Sequence, residues 1–229
     1  MSTQTITVQQ DIRAERRAAA QRFQQAMTAR GTFIVRLLSS PGSGKTTLLQ
    51  QTAQRLGRSH SIGVLVGDVE TTRDADRLAP YAPSAQITTG GACHLELPLI
   101  EKRLPDLGAR DFDFLFLEDI GNLICPASHD LGEHLRVILL STTEGDDKPG
   151  KYPKAFRTSR VTVISKVDLL PYVPFSVAAA MADARLVQPE MTFFCVSAQS
   201  GEGIDTWCEH LLEQRTLALA QAALPATRS

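Results

Sequence analysis

Seven short runs of β-branched, aliphatic and aromatic residues recur along the chain, near residues 33–38, 61–67, 84–88, 112–118, 135–141, 160–165 and 191–197. Segments of helical character separate them. This alternation predicts an α/β fold, a mostly parallel sheet with helices on both faces. Ahead of the first strand, residues 11–30 are rich in Ala, Arg and Gln, and Ile12, Ala19, Phe23 and Met27 recur at helical spacing. Gly31 then reads as the stop of a leading helix. A last helix is expected from Gly203 to about Ala223, followed by a flexible polar tail over 224–229. Neither a repeat nor a linker breaks the 229 residues, so a single domain is expected.

Two connections are long for a compact domain: residues 119–133, and "TEGDDKPGKYPKAF" at 143–156. Both follow strand ends, where open α/β sheets bind their ligands. The composition is that of an ordinary globular protein, with 43% hydrophobic and 21% charged residues. A formal net charge of -1 offers no general attraction to nucleic acid or anionic lipid, so neither is expected as a partner. No apolar run has the length of a membrane span, and the start, "MSTQTITVQQDIRAERRAAAQ", lacks the apolar core of a secretory signal. A cytoplasmic location is expected. Cys93, Cys125, Cys195 and Cys208 form no C-x-x-C pair, and in a reducing compartment they read as buried thiols, metal ligands or nucleophiles.

The first strand runs into "SSPGSGKTT", which opens a helix rich in Leu and Gln. This is the setting of a phosphate-binding loop: Gly42, Ser43 and Gly44 bring backbone N–H groups close to phosphate oxygens, with the helix N-terminus behind them. Lys45 is expected to reach the β and γ phosphates, Thr46 to bind Mg²⁺, and Thr47 to complete the loop. Ser39 stands where the strict motif has its first glycine, at no cost in an ordinary backbone conformation. Acidic partners for Mg²⁺ belong at neighbouring strand ends. Asp68, after "VLVG", and Glu118, in "FDFLFLEDIGN", fit, Asp68 holding a metal-bound or attacking water and Glu118 contacting Mg²⁺ through water. Asp119, Asp74 and Asp76 are secondary candidates, and the plain alternative is that these carboxylates cap loops or helices.

"SKVD", residues 165–168, lies close to the N-K-x-D pattern of GTPases. The Asp168 carboxylate can accept from both N1–H and the 2-amino group of guanine, while the Lys166 stem packs along the base. Ser165 replaces the asparagine, so the amide that touches the base and ties neighbouring loops is expected to be lost, and GTP affinity lowered. "FFCVSAQSGEG" supplies Ser197 and Ala198 as an S-A-x loop whose backbone amide recognises guanine O6.

Together "SSPGSGKTTLL", "GDVETTRDADR", "TGGACHLE", "LEDIGNLICPASHDLGE", "STTEGDDKPGKYPKAF", "KVDLLPY" and "SAQSGEG" resemble the HypB family, nickel-insertion GTPases of nickel-iron hydrogenase maturation. The resemblance runs from about Asp11 to Leu212. Urease accessory GTPases are cousins, but their metal motif is Cys-Pro-His, whereas Cys93 and His94 are adjacent here. The resemblance implies a SIMIBI-class P-loop GTPase that forms a GTP-dependent homodimer and hydrolyses GTP slowly. It further implies that the protein hands nickel toward the hydrogenase large subunit with a HypA-type nickel chaperone. The family's metal site falls on Cys93, His94 and Cys125, a donor set suited to Ni²⁺ or Zn²⁺. Cys125 follows Glu118 in the loop expected to sense the γ-phosphate, so nucleotide state is expected to alter metal affinity, and metal to alter nucleotide binding in return. Cys195 and Cys208 read as buried hydrophobes; His129 and His134 are candidate extra ligands, with a solvent-facing or loop-stabilising role the preferred reading.

The chain departs from the family pattern at Ser165, at Gly91 where a lysine is lost, and at Asp119 where asparagine is usual. With no Cys-rich motif or histidine-rich tract near its start, a separate nickel store is not expected. Two rival functions remain at this level. One is a P-loop phosphotransferase acting on a small molecule, though no arginine-rich lid follows "TEGDDKPGKYPK". The other is a metal-binding module with a weakened nucleotide site.

Overall fold

The computed structural model describes residues 3–68, 73–108 and 111–224. Seven strands form one sheet: β1 (Phe33–Ser39), β2 (Ile62–Asp68), β3 (Ser84–Thr88), β4 (Phe114–Glu118), β5 (Leu135–Ser141), β6 (Val161–Ser165) and β7 (Thr192–Val196). Their order is β3-β2-β4-β1-β5-β6-β7, and every pairing is parallel. The sheet is thus parallel throughout rather than mostly so. Each predicted strand lies within a few residues of an observed one.

The helices are α1 (Thr3–Ala29), α2 (Lys45–Leu56), α3 (Arg73–Leu78), α4 (Leu97–Arg103), α5 (Lys148–Lys151), α6 (Pro153–Arg157), α7 (Val177–Val187) and α8 (Ile204–Ala223). The leading helix begins earlier than its apolar spacing indicated and stops as expected, where Gly31 takes φ +78°. The 143–156 connection is not a plain loop. Pro149 and Pro153 sit in first turns, where a missing N–H costs nothing, and open the short helices α5 and α6. Of the expected tail, residues 225–229 lie outside the described residues.

Strand side chains alternate between two packed faces. Phe33, Val35, Leu37, Val64, Val66, Phe114 and Phe116 pack with α2, α3 and α8, and Trp207 closes that layer by donating its indole N–H to Thr52 Oγ1 at 3.1 Å. On the opposite face Ile34, Leu65, Leu115 and Leu117 meet α1 and α4, while Leu38, Ile138, Leu140 and Ile164 meet α6 and α7. Because all strands run one way, the ends of β1, β2, β4, β5, β6 and β7 share one edge of the sheet. That edge carries the chemistry.

Candidate functional site

The chain leaves β1 at Ser39 and enters α2 at Lys45 through a loop in which Gly42 and Gly44 take φ +73° and +95°, values that side chains rarely adopt. Lys45, almost fully buried, donates from Nζ to Ser39 Oγ at 2.7 Å, and Ser39 Oγ donates to Ser40 O at 2.7 Å. Ser39 therefore holds the lysine in place, and its φ is not positive. Burial lowers the Lys45 pKa against the opposing pull of Glu118 and Asp119.

Thr46 donates from Oγ1 to Glu118 Oε1 at 2.9 Å, and both side chains are buried. Glu118 Oε2 is buried without a partner. Desolvation pushes the Glu118 carboxyl up to about 7, although Lys45 and the Thr46 bond pull it down. A hydroxyl and a carboxylate with an unpartnered oxygen, beside Asp68 at the end of β2, make a hard oxygen-donor set that fits Mg²⁺. These groups line one cleft of about 710 Å³, with Gly42, Ser43, Gly44, Thr47, Asp74, Arg77 and Lys166 also on its walls. Close approach keeps the cleft in shape: a Cβ on Gly121 would lie 2.9 Å from the backbone of Pro41. Of the secondary acids, Asp74 and Asp119 both border the cleft, although the Asp119 carboxylate is fully buried and bonded to Arg36, and Asp76 is exposed.

The base-recognition candidates sit at the ends of β6 and β7, adjacent strands with Ser165 paired to Val196. Asp168 is exposed in a short 3-10 turn (Val167–Tyr172). Ser197 is buried; its Oγ accepts from Ser200 N at 3.1 Å and its N–H donates to Glu202 O at 3.0 Å, which shapes the turn carrying Ala198. Lys166 takes φ +60° and donates from Nζ to Gly42 O at 2.8 Å. Asp168, Ser197 and Ala198 do not line the phosphate cleft itself. Ser165 corrects one expectation. Its buried hydroxyl donates to Ser43 O at 2.7 Å, so the tie between base loop and phosphate loop is kept by a serine.

Cys93, His94 and Cys125 come to one surface beyond the cleft. The Cys125 thiol lies within hydrogen-bonding reach of Cys93 and, with some desolvation, raises its pKa. Cys93 Sγ is 3.8 Å from His94 Nδ1, whereas ligands on one tetrahedral Zn²⁺ stand roughly 3.5 Å apart. Asn122 Nδ2 donates to Cys93 O at 3.3 Å. Among the described residues, no three His, Cys, Asp or Glu side chains converge closely enough to hold a metal by themselves. His129 packs against this site: its Nδ1 contacts Cys125 O at 2.9 Å and its ring stacks on His94 with centroids 3.8 Å apart. His134 is half-buried, with both ring nitrogens engaged, by Ile34 N and Thr28 Oγ1.

Sequence patterning passed over Arg36, which is wholly buried in β1. Its Nε donates to Asp119 Oδ2 at 2.8 Å, its Nη2 bonds the same oxygen, and its Nη1 donates to His129 O at 2.5 Å. A lone arginine inside six apolar or small residues of a doubly covered strand was the available signal, since such a charge must find a carboxylate.

Residues 33–195 match the model of the CobW/HypB/UreG nucleotide-binding domain. The chain is 44% identical over 211 residues to the hydrogenase maturation factor HypB of Escherichia coli strain K12, covering 92% of this chain and 73% of that protein. Among solved structures it resembles HypB from Helicobacter pylori in complex with nickel, with TM-score 0.83, 35% identity, and 94% of this chain and 99% of that one covered. HypB from Archaeoglobus fulgidus gives TM-score 0.81 at 36% identity, over 88% of this chain and 99% of that one.

Proposed function

This chain belongs to the HypB family of the CobW/HypB/UreG nucleotide-binding domains, and from that premise we propose that it is a GTP-hydrolysing metallochaperone. It binds nickel, or zinc, at a nucleotide-sensitive site and assists nickel insertion into a hydrogenase. One observation carries the reading: a single loop leaving β4 has the cleft carboxylate of Glu118 at its start and the Cys125 thiol a few residues on. The relative solved in complex with nickel supports the choice of cargo.

In this reading the glycine-rich loop and the α2 N-terminus bind the phosphates, and Lys45 neutralises the charge that builds on the transferring phosphoryl group. Thr46 and Glu118, with Asp68, would hold Mg²⁺, which when bound would offset the negative charge of the phosphates. Asp68 and Glu118, both on the cleft wall, orient the attacking water in this reading. The Asp168 carboxylate selects guanine by accepting from N1–H and the 2-amino group, and the amide of Ala198, which takes no partner among the described residues, is free to meet O6. A nucleotide site weakened at Ser165 is the competing reading, and the 2.7 Å bond to Ser43 O argues against it.

Cys93, His94 and Cys125 supply two thiolates and an imidazole for the cargo ion, and a second protomer supplies what a single chain leaves open. Size-exclusion chromatography with GDP, GTP or a non-hydrolysable analogue, with and without Ni²⁺, tests this directly. The expected result is a GTP-promoted dimer whose nickel response disappears in Cys125→Ala. A species that stays monomeric in every nucleotide and ignores Ni²⁺ would sink the coupling. A HypA-type chaperone and the hydrogenase large subunit are the partners this function calls for.

A further inference from the structure

The structure raises a question of cost at Arg36. A buried ion pair is often replaceable by apolar residues without loss of stability, so holding the fold together is not sufficient reason for it. Burial alone would lower the Arg36 pKa; the fields of Asp119 and Glu133 overcome that and keep the guanidinium charged. Glu133 Oε1 lies 3.5 Å from Arg36 Nη1, and Arg136 braces the same glutamate while donating to His129 O at 3.0 Å. Arg36, Asp119 and Glu133 are almost wholly buried in this cluster.

Its connections run in two directions. Asp119 is the next residue after Glu118, and its N–H donates to Leu37 O at 3.0 Å, which locks it to the strand that ends in the phosphate loop. Its Oδ1 accepts from Leu95 N at 3.3 Å and from Ile120 N at 2.9 Å. Leu95 follows His94 directly. Through Nη1, Arg36 also grips the carbonyl of His129, whose imidazole contacts Cys125 O and stacks on His94. Asp119 thus links the cleft carboxylate of Glu118 to both backbone segments that present the thiols and the imidazole.

We propose that Arg36 and Asp119 form a positioning pair that transmits nucleotide state at Glu118 to the spacing of Cys93, His94 and Cys125. This rests on the nucleotide-sensitive metal site proposed above. Both side chains of the pair are fully buried; the planar guanidinium acts as a rigid fork between a carboxylate and a carbonyl, a task the point charge of lysine cannot perform. Because the coupling is thermodynamic, the same pair must carry the effect of bound Ni²⁺ back to nucleotide affinity.

The test compares wild type, Arg36→Lys, and the charge-neutral pair Arg36→Met with Asp119→Asn, which protects against misfolding from a stranded buried charge. Ni²⁺ affinity is measured with GDP and with a non-hydrolysable GTP analogue bound, and nucleotide affinity with and without Ni²⁺; circular dichroism checks folding. Wild type is expected to show a change of about fivefold or more between nucleotides, the usual lower range of allosteric coupling. Both variants are expected to bind each ligand singly as wild type does, with the ratio falling toward one in both directions. A folded variant that keeps the wild-type ratio overturns the pair while leaving the metal site intact, and a variant that loses Ni²⁺ altogether makes Arg36 a scaffold for the ligands and overturns it too. No nucleotide effect in wild type would instead remove the coupled site itself, and the inference with it.

Discussion

At the scale of single residues, Ser165 shows how a departure from a motif can be absorbed. The serine hydroxyl reaches Ser43 O at 2.7 Å from a buried position, so the end of β6 is tied to the phosphate loop without an amide. Ser165→Ala removes that bond and strands no charge. A net loss of about 1 kcal/mol is expected, corresponding to roughly fivefold weaker nucleotide binding. Preference for guanine over adenine nucleotides should persist, because Asp168 is untouched. Calorimetric titration with GDP and ADP reads both numbers, and unchanged GDP affinity would mean the bond is incidental. Motif spacing made Lys45, Thr46, Glu118 and Asp168 legible, because each ends a strand or follows one closely. The hydroxyl bond of Ser165 was not legible, since it depends on how near the phosphate loop passes to the end of β6.

Among elements, the junction of α1, β1 and the start of β5 is held by His134. Its Nδ1 accepts from Ile34 N at 2.9 Å, which assigns the proton to Nε2 and directs it to Thr28 Oγ1 at 2.8 Å. Thr28 Oγ1 in turn donates to Gln24 O at 2.6 Å. Burial pushes the His134 pKa down to about 4. Between that value and the ordinary histidine value of about 6.5, the unfolded chain binds a proton that the folded one refuses. Stability should thus fall as pH drops through this window, by up to about 3 kcal/mol. Urea denaturation across that range, compared between wild type and His134→Gln, isolates the effect; parallel profiles for the two proteins would refute it. The periodicity of α1 located the helix and its stop, but its docking partner lies over a hundred residues along the chain, beyond any local pattern.

For the molecule as a whole, the strand runs and their intervals were enough to place all seven strands, because apolar runs between helical segments leave a parallel sheet few alternatives. The candidate site was legible for the same reason: every residue in it stands at a strand end or one loop beyond. What patterning could not reach was the wiring between the two halves of the site. Arg36, Asp119 and Glu133 are distant in sequence and meet only once β1 and β4 are paired in register. Two short helices also stand where a loop was expected, since prolines that forbid an interior turn are welcome in a first one.

Lys166 is the only non-glycine residue with positive φ among the described residues. A left-handed backbone costs an ordinary side chain about 1–2 kcal/mol, and glycine nothing comparable. A sequence chosen for durability alone would write glycine there. Lys166→Gly is therefore expected to leave the nucleotide-free protein as heat-resistant as wild type or more so, while weakening its hold on GDP and GTP, because the ammonium on Gly42 O is gone. If melting temperature and nucleotide affinity drop together, the lysine is a structural brace after all. If they part, robustness has been exchanged at this one turn for grip on the ligand, and thermal hardening of the chain would come at the expense of its work.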